Sequence, residues 1–206
     1  MPYHHGDLAN ALTQAAIDLA STGGPQAVVL REAARQVGVS PTAAYRYFES
    51  RSELIHAVKE QAIRELAARM DREMQRGRPL DDPVQEAVRR LRALGRGYIN
   101  FALEEPGLFR TAFYHADLSD PVDEKEAAVD PLSTEPFQML VETLDSLVGY
   151  GVIGPDRRPL MELAAWAVVH GVADLILNGP LRRQAPELQQ AAIERALNLV
   201  VEAIGA

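Results

Sequence analysis

The stretch from Thr42 to Tyr47 combines small side chains, two tyrosines and an arginine, and its first carboxylate comes only at Glu49. Hydroxyl and guanidinium groups donate hydrogen bonds to base edges and phosphate oxygens, whereas carboxylates are repelled by phosphates. On a helix that reads the major groove, we expect the exposed residues to be Thr42, Ala43, Tyr45, Arg46 and Tyr47.

Two arginines flank this stretch at the predicted starts of neighbouring helices. Arg51 opens the helix that follows, where a cation and free backbone N–H groups can hold a phosphate. Arg31 opens the helix that precedes it and can hold a phosphate on the other DNA strand.

Two short helices and a turn must position these residues. The first runs near Leu30–Val37, and Gly38 suits the left-handed residue that ends it. Ser40 is a good N-cap and Pro41 a good first residue for the second helix, which we expect to continue through Phe48. The pattern predicts a helix-turn-helix, which either binds DNA or is a purely structural helix pair.

The remaining periodicity predicts helices nearly throughout. A first helix starts at the N-cap Asp7, and the capping box of residues 50–53 opens a fourth helix over about 51–76. Further helices are expected at about 82–104, 106–114, 134–149, 157–178 and 186–204. We interpret the acidic, proline-containing stretch 115–136 as a loop.

These elements predict an all-α fold of about nine helices in two domains. Residues 1–52 would form the helix-turn-helix domain, and residues 53–206 a helical domain, with helix four connecting them.

Composition indicates a globular protein, and the distribution of charge leaves room for nucleic-acid binding in its first part although the net charge argues against it. The chain has 206 residues, 47% of them hydrophobic, and no cysteine. Its net charge is −8, but residues 1–76 balance to zero and the excess acid lies in residues 77–206. No signal peptide or membrane span is apparent, so we expect a cytoplasmic, nucleoid-associated protein.

Residues 3–60 resemble the DNA-binding domain of the TetR/AcrR family of bacterial transcription regulators. The resemblance rests on LREAARQVGVSPTAAYRYF at 30–48 and SRSEL at 50–54. It implies that the DNA-contacting positions are Arg31, Thr42, Ala43, Tyr45, Tyr47 and Arg51, to which we add Arg46 for its chemistry. Tyr47 stands where histidine is common in the family, and Arg51 where lysine is common.

The stretches YHHGDL at 3–8 and WAVVHG at 166–171 resemble one branch of that family, named for its Trp…His-Gly signature. The resemblance implies a C-terminal domain that binds a small molecule and dimerises through its last two long helices. A wide apolar stripe on the last helix fits such an interface or an ordinary core face. Its members are Leu188, Ala192, Ala196, Leu199 and Ala203.

Aromatic residues on the predicted helices are candidates for the effector pocket, because such pockets are mostly apolar with few polar groups. Each could equally be an ordinary core residue, as could the pair Trp166 and His170, which share a helix face. The candidates are Tyr98, Phe101, Phe109, Phe113, Tyr114, Phe137, Trp166 and His170. Polar contacts could come from Tyr98, Asn100, Tyr114 and His115.

Other chemistry finds little support in the sequence. His4 and His5 lack the further ligands of a metal site, and no catalytic or phosphate-binding motif is present. We expect no metal and no cofactor. We therefore predict a ligand-responsive transcription regulator, a repressor, which binds a near-palindromic operator in double-stranded DNA as a homodimer. The alternatives are an all-α enzyme and a protein-interaction module.

Overall fold

A computed structural model describes residues 5–114 and 131–205, and over these residues the fold is entirely helical. It has nine α-helices, which confirms the predicted fold class. They are α1 His5–Gly23, α2 Leu30–Val37, α3 Pro41–Ala44, α4 Arg51–Met74, α5 Pro83–Glu104, α6 Pro106–Ala112, α7 Glu135–Gly149, α8 Met161–Leu177 and α9 Pro186–Gly205.

Two helices begin at positions other than the predicted ones. Helix α1 begins at His5, so Asp7 lies in the first turn, where its carboxylate faces the positive end of the helix dipole. Helix α8 begins at Met161 instead of near residue 157. Leu160 adopts a left-handed conformation with φ 63°, which interrupts any helix that would start earlier.

The chain divides into two compact units. Among the described residues, the first unit contains 5–64 and 105–114, and the second contains 65–104 and 131–205. The chain therefore passes from one unit to the other inside α4 and again between α5 and α6. The domain boundary at residue 52 stays a prediction.

In the first unit, α1 is packed on one side by α2 and on another by α6. The apolar stripe of α1 is buried at Leu8, Leu12 and Ala16. Helix α6 approaches the end of α1 so closely that a Cβ on Gly107 would lie 2.2 Å from the carbonyl oxygen of Ala20. Only glycine allows this packing of the two backbones.

In the second unit, α5 lies against α7, α8 and α9. Its core contains Leu91, Leu144, Leu147, Ile153 and Ile204. A Cβ on Gly97 would lie 2.7 Å from the Cα of Met70, so the end of α4 also packs tightly against α5.

Charged residues join helices within the second unit. Arg96 Nη1 lies 2.7 Å from Glu194 Oε1, and Arg92 Nη2 lies 2.5 Å from Oε2 of the same carboxylate. Arg89 donates to the carbonyl of Met74 at 2.8 Å and thereby caps the end of α4. No helix among the described residues is long and apolar enough to span a bilayer.

Candidate nucleic-acid interface and effector site

The turn of the helix-turn-helix has the predicted geometry. Gly38 ends α2 with φ 78° and ψ 28°, the left-handed conformation that glycine adopts without strain. The N–H of Val39 donates to the carbonyl of Ala34 at 3.0 Å, which closes the turn. Helix α3 then starts from Ser40, whose Oγ accepts the N–H of Ala43 at 3.2 Å and confirms the N-cap.

Helix α3 is shorter than predicted, since its regular α-helical part ends at Ala44 instead of Phe48. The chain continues as tight helical turns, in which Arg46 N–H donates to Ala43 and Tyr47 N–H to Ala44. These bonds span three residues and are mixed with bonds that span four. Ala44 and Phe48 are both buried, so the tightened turns of this segment are held by packing into the core.

The predicted DNA-contacting residues divide by exposure. Arg31, Thr42, Tyr45, Arg46 and Arg51 are exposed, and 45% of Tyr45 is accessible. Ala43 and Tyr47 are half-buried. The buried residues of this segment therefore anchor it, and donors are presented to solvent around α3.

The acidic residue of α2 is neutralised by a neighbour on the same helix. Arg35 Nε donates to Glu32 Oε2 at 2.9 Å, and this hydrogen bond holds the pKa of Glu32 below its usual value. The pair reduces the repulsion that a lone carboxylate would exert on a nearby phosphate.

The start of α4 confirms the capping box and adds a contact that the sequence did not reveal. The N–H of Glu53 donates to Ser50 Oγ at 3.1 Å, and the Glu53 carboxylate reaches back to the N–H of Glu49 at 2.7 Å. The guanidinium of Arg51 donates to the carbonyls of Pro25 at 2.6 Å and Val28 at 2.9 Å. Sequence reasoning missed this contact because the partners are backbone atoms more than twenty residues away.

In the second unit, Tyr98 is hydrogen-bonded to two residues of α8. Its hydroxyl accepts the Nε1–H of Trp166 at 3.0 Å and lies 2.7 Å from His170 Nδ1. Burial raises the pKa of Tyr98 well above its usual value and lowers the pKa of His170. A protonated phenol therefore meets a neutral imidazole at neutral pH. Phe137 packs edge-on against Trp166, with ring centroids 6.0 Å apart.

The structure brings together four of the eight pocket candidates, Tyr98, Phe137, Trp166 and His170, which we call the aromatic cluster. Phe101 is a buried residue of α5 in the same unit. Phe109 and Phe113 pack on each other in the first unit, with ring centroids 5.0 Å apart. Tyr114 lies in that unit too, with Lys59 Nζ 5.8 Å from its ring centroid.

The residues predicted to supply polar contacts to the pocket do not all lie together. Asn100 Nδ2 donates to Glu73 Oε1 at 3.2 Å. His115 lies outside the described residues, as do His4 and most of the predicted acidic loop. Among the described residues, no group of three or more His, Asp or Glu side chains could hold a metal ion.

Helix α9 presents two different apolar faces. Ile193, Leu197 and Ile204 are buried inside the unit. Leu188 and Leu199 are 50% and 48% exposed. On the same outer face Ala203 is exposed, whereas Ala192 and Ala196 are half-buried. The predicted stripe is thus the outer face of a helix whose other face builds the core.

Over the described residues, the capped helix-turn-helix with donors exposed around α3 is the architecture of helix-turn-helix DNA-binding proteins. The comparisons with known families make this specific. Residues 12–58 match the profile described as bacterial regulatory proteins, tetR family, and residues 91–200 match the tetracyclin repressor-like C-terminal domain. The chain belongs to the TetR family. The C-terminal match includes Trp166–Gly171, in agreement with the Trp…His-Gly branch.

Solved structures have the same fold over 93–100% of this chain. A protein of unknown function from Rhodococcus sp. RHA1 is 25% identical, with a TM-score of 0.74 and 100% of each chain covered. The TetR-family regulator PfmR from Thermus thermophilus is 19% identical, with a TM-score of 0.59 over 93% of this chain and 97% of that one. RolR in complex with resorcinol is 18% identical, with a TM-score of 0.62 over 97% and 93%. No curated protein matches the sequence significantly.

Proposed function

We propose that this TetR-family protein is a repressor that binds a near-palindromic operator as a homodimer and is released by a small-molecule effector. The observation that carries the proposal is the arrangement around α3. Ala44 and Phe48 are buried and anchor the segment. Tyr45 and Arg46 lie between them and Thr42 lies just before Ala44, and all three are exposed hydrogen-bond donors. A segment that is fixed in place and presents donors is what direct readout of base edges and phosphates needs.

The operator should have two-fold symmetry, since each protomer supplies one recognition segment. In dimeric helix-turn-helix proteins the half-sites lie roughly 34–36 Å apart, one helical turn of DNA, or a multiple of this distance. In this proposal the protein catalyses no reaction and needs no cofactor or metal. It would act at the bacterial nucleoid in the cytoplasm.

Selection from a random pool of duplex DNA tests this function. The full chain should enrich a near-palindromic sequence, and the double variant Tyr45→Ala/Arg46→Ala should lose that enrichment. The matched control is Tyr150→Ala/Arg72→Ala, which removes one exposed tyrosine and one exposed arginine from the second unit. If the wild-type chain enriches no sequence at low salt without added ligand, the repressor proposal is wrong.

The dimer interface we propose includes the outer face of α9. Leu188 and Leu199 are about half exposed in the single chain, and large exposed apolar side chains on one helix face favour association. Leu199→Glu should shift the protein to monomers in sedimentation experiments. Leu80→Glu is the control, because Leu80 is 44% exposed and lies outside α9. Equal behaviour of the two variants would contradict this interface.

The effector site we propose includes the aromatic cluster, since its rings and polar atoms suit a small aromatic ligand. RolR was solved with resorcinol, so hydroxylated aromatics are a reasonable first panel of compounds. Phe101 of the same unit stays a predicted member of this pocket, and Phe109, Phe113 and Tyr114 stay sequence predictions outside it.

Binding of effector and of operator should be antagonistic and reciprocal, because the ligand acts through its different affinities for two states. Titration calorimetry would identify a binding compound, and the operator affinity would then be measured with and without it. Unchanged operator affinity at saturating bound compound would contradict the effector mechanism and leave DNA binding intact.

A further inference from the structure

Arg51 occupies a position that is electrostatically unfavourable unless its charge has a partner. It is the first residue of α4, where the helix dipole is positive and a cation is destabilising. DNA phosphate would be one such partner, as expected from the sequence. The protein itself provides another.

The guanidinium of Arg51 bonds two carbonyl oxygens of the segment that joins α1 and α2. Its Nε–H donates to Val28 at 2.9 Å and its Nη2–H donates to Pro25 at 2.6 Å. The two oxygens lie three residues apart and are held by adjacent donors of one planar group. A lysine ammonium lacks this fixed pair of donors.

The joining segment leads directly into α2. Pro25 and Val28 are both buried, and α2 starts two residues after Val28. Val29, the N-cap of α2, makes no side-chain capping hydrogen bond, so this helix start depends on the burial of Leu30 and on the preceding segment. Arg51 follows the helix-turn-helix in the sequence and the Pro25–Val28 segment precedes it, so the contacts of Arg51 link the start of α4 to the chain just before α2.

We infer that Arg51 is a positioning residue: its guanidinium holds the Pro25–Val28 segment in place, and so fixes the start of α2, in preference to binding a DNA phosphate. The inference rests on the proposed DNA binding for its functional consequence only. Its structural part can be measured without DNA.

The experiment compares Arg51→Gln, Arg51→Lys and Arg31→Gln in the full chain, with Arg72→Gln as a control at an exposed arginine of the second unit. Two quantities are measured for each variant. The first is the slope of log affinity against log salt concentration on a duplex of random sequence. The second is amide hydrogen exchange across Leu30–Val37, together with the thermal midpoint.

A phosphate contact and a positioning contact give different results. Loss of one phosphate contact reduces the magnitude of the slope of log affinity against log salt by about 0.9, and this is the result expected for Arg31→Gln. For Arg51→Gln we expect an unchanged slope, faster exchange throughout α2, a thermal midpoint lower by about 3 °C, and an affinity lower by roughly tenfold. Arg51→Lys should resemble Arg51→Gln, and Arg72→Gln should resemble the wild type.

A slope loss of about 0.9 in Arg51→Gln would overturn the inference, whatever the exchange shows. Wild-type exchange in Arg51→Gln, or full recovery of slow exchange in Arg51→Lys, would overturn it as well. If the wild-type protein bound no duplex at all, the proposed function would fail, and the exchange data would still decide the role of Arg51.

Discussion

The helix-turn-helix and the aromatic cluster each contain a tyrosine, and the two tyrosines have opposite environments. Tyr45 is 45% exposed at the end of α3, whereas Tyr98 is 4% exposed and hydrogen-bonded to Trp166 and His170. The phenol of Tyr45 is therefore accessible to solvent, and the phenol of Tyr98 joins two helices. The same side chain is exposed in one unit and makes an internal connection in the other.

The two regions also differ in the range of their interactions. The turn and the helix starts of the helix-turn-helix are organised by contacts between near neighbours, such as Ser40 with Ala43 and Ser50 with Glu53, and the bonds of Arg51 to Pro25 and Val28 are a longer-range exception. In the second unit, the pairs Tyr98–His170 and Arg96–Glu194 join residues 72 and 98 positions apart. We therefore expect exposed substitutions in the first region to affect DNA binding, and substitutions of buried residues in either unit to affect stability.

The largest effect is expected where α6 meets α1. In Gly107→Ala the new Cβ would lie 2.2 Å from a backbone oxygen, which no side-chain rotation can relieve, so we expect a loss of about 3 kcal/mol in the free energy of unfolding. Chemical denaturation measures it. Gly149→Ala is the control, because nothing lies within 4 Å of its added Cβ. Similar stabilities for these two variants would show that α6 does not pack as described.

A smaller loss is expected when the Tyr98 hydroxyl is removed. Tyr98→Phe deletes the oxygen that accepts the Trp166 N–H and bonds His170 Nδ1 in a partly buried site, which should cost about 1–2 kcal/mol. Tyr150→Phe, at a tyrosine that is 49% exposed, should leave the denaturation curve unchanged. If the two variants were equally stable, the hydrogen bonds of the buried Tyr98 hydroxyl would contribute no more to stability than the exposed hydroxyl of Tyr150.

The ion pairs of Glu194 should give a pH-dependent contribution of about 1 kcal/mol, small because the groups are partly exposed. The bonds from Arg96 and Arg92 lower the pKa of Glu194 from 4.5 to about 2 in the folded protein. Stabilisation is therefore present above pH 4.5 and is lost as the pH falls towards 2. Unfolding curves of wild type and Glu194→Gln should differ at pH 6 and converge as the pH approaches 2, and a constant difference would contradict the ion-pair origin.

The smallest effect on stability is expected at the exposed arginine of the recognition segment. Arg46→Gln should change the free energy of unfolding by less than about 0.5 kcal/mol, and should weaken operator binding roughly tenfold. Denaturation and a DNA-binding titration on the same preparation separate the two quantities. A marked loss of stability would mean that Arg46 contributes to the fold, and the division between the two regions would then be less clear.

The sequence predicts those parts of the fold that depend on neighbouring residues. Gly38, Ser40 and Pro41 specify the turn and the start of α3, and the capping box specifies the start of α4. The early end of α3 was not predictable from these signals, because it depends on how Phe48 enters the core. The start of α8 was missed for a similar reason, since a left-handed leucine at 160 has no sequence signature.

The candidate sites were predictable as residue types and only partly as contacts. Tyr98 falls at helical spacing among buried residues of α5 such as Leu94 and Phe101, which indicates that its hydroxyl needs an internal partner. Spacing along the sequence cannot identify Trp166 and His170 as those partners. The backbone partners of Arg51 are equally invisible, since any carbonyl in the chain could accept its hydrogen bonds.

Trp166 is the single tryptophan of the chain, and its indole N–H is bonded to Tyr98. Selectively excited indole fluorescence from this protein therefore arises from one place, the aromatic cluster, while the helix-turn-helix emits nothing at the same wavelengths. Any event that displaces the phenol from the indole should change the emission without a label or a substitution. The molecule thus has an intrinsic optical reporter in its second unit, because the tyrosines of the first unit are not excited at wavelengths that only indole absorbs.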